Sequence, residues 1–138
     1  MNPNDLKQFP QLRDLSAEEL EILVPLLEER AVAKGRRLAS EGEEAEGMIL
    51  VAEGSVRIQN AAGHTGSLAA PAALGAVALV TVGARALTAV AAEPCRVLVL
   101  SRTAFHRFAE DAPRAAVRIL EAIVTDLAAL LRQGVELV

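Results

Sequence analysis

From Glu29 onward the chain abandons helical spacing and breaks into short apolar runs separated by glycine. Glu29–Ala33 leads to Lys34-Gly35, and Arg37–Ser40 leads to Glu41-Gly42-Glu43. Met48–Glu53 ends at Gly54, Ser55–Gln59 runs to a turn at Ala62-Gly63, and His64–Leu68 follows. Gly35, Gly42, Gly54 and Gly63 recur at roughly eight- to twelve-residue intervals, the turn rhythm of an all-β sandwich or barrel. Two further runs, Ala86–Ala91 and Cys95–Leu100, flank Ala92-Glu93-Pro94. A chain turning this often through its middle folds there into strands, and its helices belong at the two ends.

The ends carry helical signals. Leu6, Phe9, Leu12 and Leu15 are spaced by three, and Pro10 breaks that stretch into separate turns. Ser16 with Glu19 three residues on forms a capping box, and Leu20, Leu23, Val24 and Leu27 follow on one face, with Pro25 bending or shortening the helix. Beyond the strands, Ser101 caps a short helix to about Ala109, and Pro113 opens a long one ending near Arg132. Along the long helix, Val117, Leu120, Val124, Leu127 and Leu131 alternate spacings of three and four, a heptad seam. Ile119, Ile123 and Leu130 form a second stripe. Two apolar stripes exceed what one neighbouring surface usually covers, so the seam at Val117, Leu120, Val124, Leu127 and Leu131 is expected to form a homodimer interface.

With 138 residues, 52% of them hydrophobic, the chain fits one domain with one core. Only 2% are aromatic, so the core is aliphatic and stacking platforms for bases are absent. A net charge of -4 argues against direct nucleic-acid binding. The lone Cys95 excludes an intrachain disulfide and the N-terminus carries no secretory signal, which together point to the cytoplasm. Asn60–Ala84 lacks formal charge, but Pro71 and four glycines interrupt it and alanine dominates it, so no membrane span is expected.

One stretch stands apart: Leu74 to Val90, LGAVALVTVGARALTAV, in which Arg85 is the only formal charge between Arg57 and Glu93. A guanidinium among Ala, Val, Leu and Gly needs a partner. That partner is either an anionic ligand or a carboxylate of the protein, with Glu41, Glu43 and Glu93 as the candidates. No other constellation carries chemistry. The acidic turn Glu41–Glu46 lacks EF-hand spacing, and neither His64 nor His106 has a His or Cys at metal-ligand spacing. Cys95 reads as a small buried hydrophobe and Ser101 as a helix cap, so no catalytic residue, no metal and no enzymatic activity are expected.

In its ordered set of local marks the chain resembles the cyclic nucleotide-binding domain family. The marks are L-S-A-E-E-L at 15–20, G-x-x-L-x-x-E-G-E at 35–43 and M-I-L-V-A-E-G-S-V at 48–56. The family's phosphate-binding cassette reads approximately F-G-E-x-A-L, then R-x-A-[TS] after a short gap. Leu74-Gly75-Ala76-Val77-Ala78-Leu79, Val80–Ala84 and Arg85-Ala86-Leu87-Thr88 fall on it in that order. The resemblance implies a mainly β fold with flanking helices, a double-stranded β-helix or jelly roll (β-roll). Its parts would be a helical lid over 1–28, the roll over 29–100 with its cassette at 74–90, and C-terminal helices over 101–138. It implies a regulatory sensor whose ligand, cyclic AMP or cyclic GMP, binds at Gly75, Ala76, Val77, Ala78, Arg85, Ala86 and Thr88. In that reading Gly75 admits the ligand to the backbone, the short helix after it faces the anion, and Arg85 holds the phosphate.

The departures from the family are as informative. The glutamate that accepts the ribose 2′-hydroxyl falls at Ala76, whose methyl group cannot accept a hydrogen bond. Losing one charge-assisted bond costs about 1.5–3 kcal/mol, roughly one to two decades in affinity. Pro71-Ala72 stands where the family shows Gly-Asp, and Leu130 and Leu131 fall nearest the helix positions that reach the base in catabolite-activator relatives. The same residues therefore also fit a module that has lost nucleotide binding and serves in dimerisation or docking.

Overall fold

A computed structural model of the chain describes residues 2–134. Residues 135–138, the end of the expected C-terminal helical segment, lie outside the described residues. The strands belong to a compact unit spanning Leu26–Phe105. They are β1 (Glu28–Val32), β2 (Arg37–Ala39), β3 (Gly47–Glu53), β4 (Ser55–Gln59), β5 (Thr65–Ala69), β6 (Ala72–Leu74), β7 (Thr88–Ala91) and β8 (Cys95–Ser101). They form two antiparallel four-stranded sheets, ordered β1-β8-β3-β6 and β2-β7-β4-β5. This is the β-roll that the family resemblance implies, and the glycine rhythm between its strands has a backbone cause. Gly35, Gly42, Gly54 and Gly63 all sit at φ between 86 and 94, where a Cβ would be strained.

The roll's core lies between the sheets. Ile49, Val51, Val97 and Val99 of the first sheet meet Val56, Ala89 and Ala91 of the second. β3 and β8 are also buried on their other faces, through Met48, Leu50, Leu98 and Leu100. Burial on both faces explains why these two strands read as unbroken apolar runs rather than alternating ones. β6 had no counterpart among the expected strands; Ala72-Ala73-Leu74 pairs with Val51, Leu50 and Ile49 of β3. Three residues following Pro71 are too few to show a period.

The second compact unit contains, among the described residues, those up to Pro25 and those from His106 onward. Two 3-10 turns, Pro3–Gln8 and Pro10–Leu12, bury Leu6, Phe9 and Leu12. Helix α1 (Ala17–Leu23) starts with the expected capping box: Ser16 Oγ accepts from Glu19 N at 3.2 Å, and Glu19 Oε1 accepts from Ser16 N at 2.8 Å. Glu19 also pairs with Arg118, and its pKa lies below the ordinary carboxylate value, chiefly through the Ser16 backbone hydrogen bond. Pro25 falls in a 3-10 turn, Val24–Leu26, as the proline required.

Helix α2 (Arg102–Asp111) begins in the strand unit, with Ser101 Oγ accepting from Ala104 N at 3.0 Å. Helix α3 (Pro113–Gly134) follows and has two unlike apolar faces. Ala115, Ala116, Ile119 and Ile123 are buried. Val117, Val124, Leu127, Leu130 and Leu131 are exposed and Leu120 is half-buried. The heptad seam, apart from half-buried Leu120, is therefore an exposed stripe of α3, while Ile119 and Ile123 are buried and Leu130 joins the exposed set. No helix among the described residues is long and apolar enough to cross a membrane.

Candidate ligand-binding site

The site is built from the end of β6 and the loop returning to β7. Gly75 adopts a left-handed conformation, φ 69 and ψ 36, and turns the chain into a 3-10 helix, Ala76–Leu79. The positive φ fixes glycine here, because a side chain would be strained there; a Cβ would also lie 2.1 Å from Nη1 of Arg85, so the guanidinium would have to shift. The guanidinium thus rests directly against the Gly75 backbone. The expected short cassette helix is a single 3-10 turn of four residues packed on β3 and β8, too short to develop a macrodipole of consequence. Any anion held here depends on the arginine.

The backbone of Arg85 is tied down from the opposite side. Its N–H donates to Glu43 O at 2.7 Å, and its carbonyl accepts from Gly42 N at 3.0 Å. Ala45 N donates to Gly83 O at 2.9 Å, and Glu44 bridges Ala84. Residues 83–85 therefore run antiparallel to 42–45. The acidic turn, whose glutamates are exposed, serves as the splint that holds the arginine in place.

The side chain is not tied down. Nη1 of Arg85 is buried and has no hydrogen-bond partner, and among the described residues the guanidinium makes no ion pair with Glu41, Glu43 or Glu93. Glu93 instead accepts from Ser55 Oγ at 2.9 Å. Burial pushes the Arg85 pKa below the ordinary guanidinium value, with Glu46 opposing the shift. Leaving a buried donor unsatisfied costs about 1–3 kcal/mol, and more when it is charged. An anion accepting from Nη1 would remove that cost.

Beside the guanidinium lies a cavity of about 210 Å³, lined by Ala39, Ala45, Leu74, Gly75, Val77, Ala78, Thr81, Gly83, Ala84, Arg85, Ala86 and Leu87. Five residues expected at the site, Gly75, Val77, Ala78, Arg85 and Ala86, line this one space. Ala76 and Thr88 do not. Thr88 opens β7, and its hydroxyl accepts from Glu41 N at 3.0 Å, so its role is to anchor the returning strand. Arg85 and Thr81 carry the only polar side chains of the lining, and Thr81 Oγ1 donates to Val82 O at 3.4 Å.

Sequence reasoning missed Arg102. Its Nη2 donates to Ala45 O at 3.0 Å and to Thr81 O at 3.2 Å, and its backbone N–H donates to Glu46 O at 3.0 Å. One side chain thus joins two cavity-lining segments to the first residue of α2. Only its position beside the Ser101 cap marked it, and that carries no hint of a contact with residue 45 or 81. Among the described residues, no group of three His, Cys, Asp or Glu is placed to hold a metal. Cys95 is buried, its thiol donating to the carbonyls of Ser55 and Glu93, and burial raises its pKa.

Similarity to known proteins agrees with this architecture. The N-terminal domain of a transcriptional regulator from Streptomyces coelicolor A3(2) superposes with a TM-score of 0.81 over 96% of each chain, at 22% identity. A cyclic nucleotide-binding-like protein from Brucella abortus gives a TM-score of 0.68 at 26% identity, over 79% of this chain and 97% of that one. The catabolite activator protein of Thermus thermophilus gives 0.78 at 24% identity, over 91% of this chain and 60% of that one. No curated protein matches in sequence. The model of the cyclic nucleotide-binding domain matches residues 29–112, more than half the chain, and takes in the splint, the cassette and both sheets. The chain is a β-roll module that belongs to the cyclic nucleotide-binding domain family.

Proposed function

We propose that the chain is a sensor in which Arg85 receives the anionic group of a small ligand, the cyclic phosphate of cyclic AMP or cyclic GMP being the family's case. The observation that carries this is the buried, unpartnered Nη1 of Arg85 beside a cavity. A charged donor held in that state by a backbone splint has its partner elsewhere than in the fold. Occupancy would be passed on through Arg102, which links Thr81 to the start of α2 and so to α3. The output is a homodimer through the seam Val117, Leu120, Val124, Leu127 and Leu131, rather than DNA binding or catalysis. The whole chain acts as one domain in this reading.

Calorimetric titration with cyclic AMP and cyclic GMP tests it, using the native chain and Ala76→Glu. Weak binding to the native chain, strengthened about ten- to hundredfold by the restored carboxylate, is expected. No heat from either protein at high micromolar nucleotide contradicts a nucleotide sensor. Ala76 itself favours that second reading, a docking module without nucleotide. For the dimer, light scattering at tens of micromolar should give twice the chain mass, falling to one mass in Val124→Asp; a native monomer would refute it.

A further inference from the structure

We infer that the ligand of the Arg85 cavity is a compact organic monoanion with an apolar body and no ribose, such as an aromatic or branched aliphatic carboxylate. This rests on Arg85 as the anion contact and adds what must surround the anion. Size is the first constraint. The cavity holds about 210 Å³, whereas sites that enclose drug-sized ligands run from roughly 300 to 1,000 Å³. A dry cavity of about 150 Å³ already accepts benzene. The available space encloses a ring or branched chain with its carboxylate and leaves a nucleotide partly outside.

The lining is the second constraint. Apart from Arg85 it offers one hydroxyl, Thr81, and the residue in the family's ribose-binding position is Ala76. Sugar hydroxyls entering such a cavity would lose water without gaining partners. Charge is the third. One guanidinium balances one negative charge, and Glu46 already acts on Arg85 electrostatically. A dianion would bring an uncompensated charge into an apolar space. Finally, exposed valines lie on the lining and next to it in sequence. Val77, on the lining, is 40% exposed, and Val80 and Val82, on either side of Thr81, are 52% and 66% exposed. A hydrophobic ligand body would cover surface that the fold leaves in water.

Calorimetry on the whole chain with benzoate, 4-methylpentanoate, acetate, inorganic phosphate and cyclic AMP decides the matter. Benzoate and 4-methylpentanoate should bind at one site about tenfold or more tighter than acetate. Both should bind tighter than cyclic AMP, and phosphate should give no heat. Arg85→Gln, with folding checked by circular dichroism, should abolish the binding. Val77→Ser, at a partly exposed position, should weaken benzoate severalfold and leave acetate unchanged, which separates the apolar contact from any loss of fold. Cyclic AMP binding tighter than every carboxylate, or acetate equalling benzoate, overturns this ligand class while Arg85 remains an anion contact. Absence of binding by all five, or benzoate binding that survives Arg85→Gln, removes both.

Discussion

Within the strand unit, the β3–β8 pair and the cassette are opposites. Gly47–Glu53 and Cys95–Ser101 are paired along their length, buried on both faces, and contain no polar side chain without a partner. The cassette, residues 74–90, holds a left-handed glycine, three exposed valines and a half-buried arginine whose Nη1 has nothing to bond. The first region turns apolar burial into stability. The second spends some of that stability on a site. The two Arg side chains near the cassette repeat the contrast: Arg102 has carbonyl partners on two segments, while Arg85 is held at its backbone and left open at its head.

That contrast can be tested by where substitutions act. Leu50→Ala, at a fully buried position of β3, should cost about 2–5 kcal/mol in urea unfolding, a stability loss rather than a specific binding defect. A loss below about 1 kcal/mol would show that the sheets do not carry the stability. Gly75→Ala should cost about 1–3 kcal/mol, because a non-glycine residue is strained there. It should also weaken anion binding, since its Cβ would lie 2.1 Å from Arg85 Nη1 and push the guanidinium aside. Undiminished binding in that variant would refute the close approach.

Arg102→Met should cost about 1–2 kcal/mol by stripping the donor from the Ala45 and Thr81 carbonyls. Amide hydrogen exchange should then speed up in residues 41–46 and 76–83 and stay unchanged in β3 and β8. Uniform acceleration across both regions would mean that Arg102 supports the whole unit rather than the cassette.

The strands carried by the glycine rhythm and by long apolar runs were legible in the sequence, because each turn demanded a positive φ and each buried face demanded apolar side chains. The capping box at Ser16 and the start of α3 at Pro113 were legible for a similar reason: both are local rules. At the site, Arg85 could be named because one charge stood alone in an apolar stretch, and Gly75 because the stretch resembles the family's cassette. The splint could not. It depends on residues 42–45 meeting 83–85 in space, and nothing in either segment names the other. Nor could the sequence decide whether Arg85 was paired, since Glu41, Glu43 and Glu93 were all plausible partners until their distances were known. On α3 both apolar stripes were visible, but only burial separates Ile119 and Ile123 from the outward Val117 and Val124.

The central claim is that Arg85 is kept for a ligand and not for the fold, and stability measurement of Arg85→Met reaches it most directly. The depressed pKa of Arg85 gives the sign. Below the folded-state value, burial penalises the charged side chain at every pH, so the unfolded chain holds the proton more comfortably and the native state carries the cost. Replacing a half-buried guanidinium whose buried Nη1 has no partner by an apolar group of similar length is then neutral or favourable. Urea unfolding at neutral pH without ligand should place Arg85→Met within about 1 kcal/mol of the native chain or above it, with the same dependence on urea. A loss of about 2 kcal/mol or more would make Arg85 a structural residue and contradict the account.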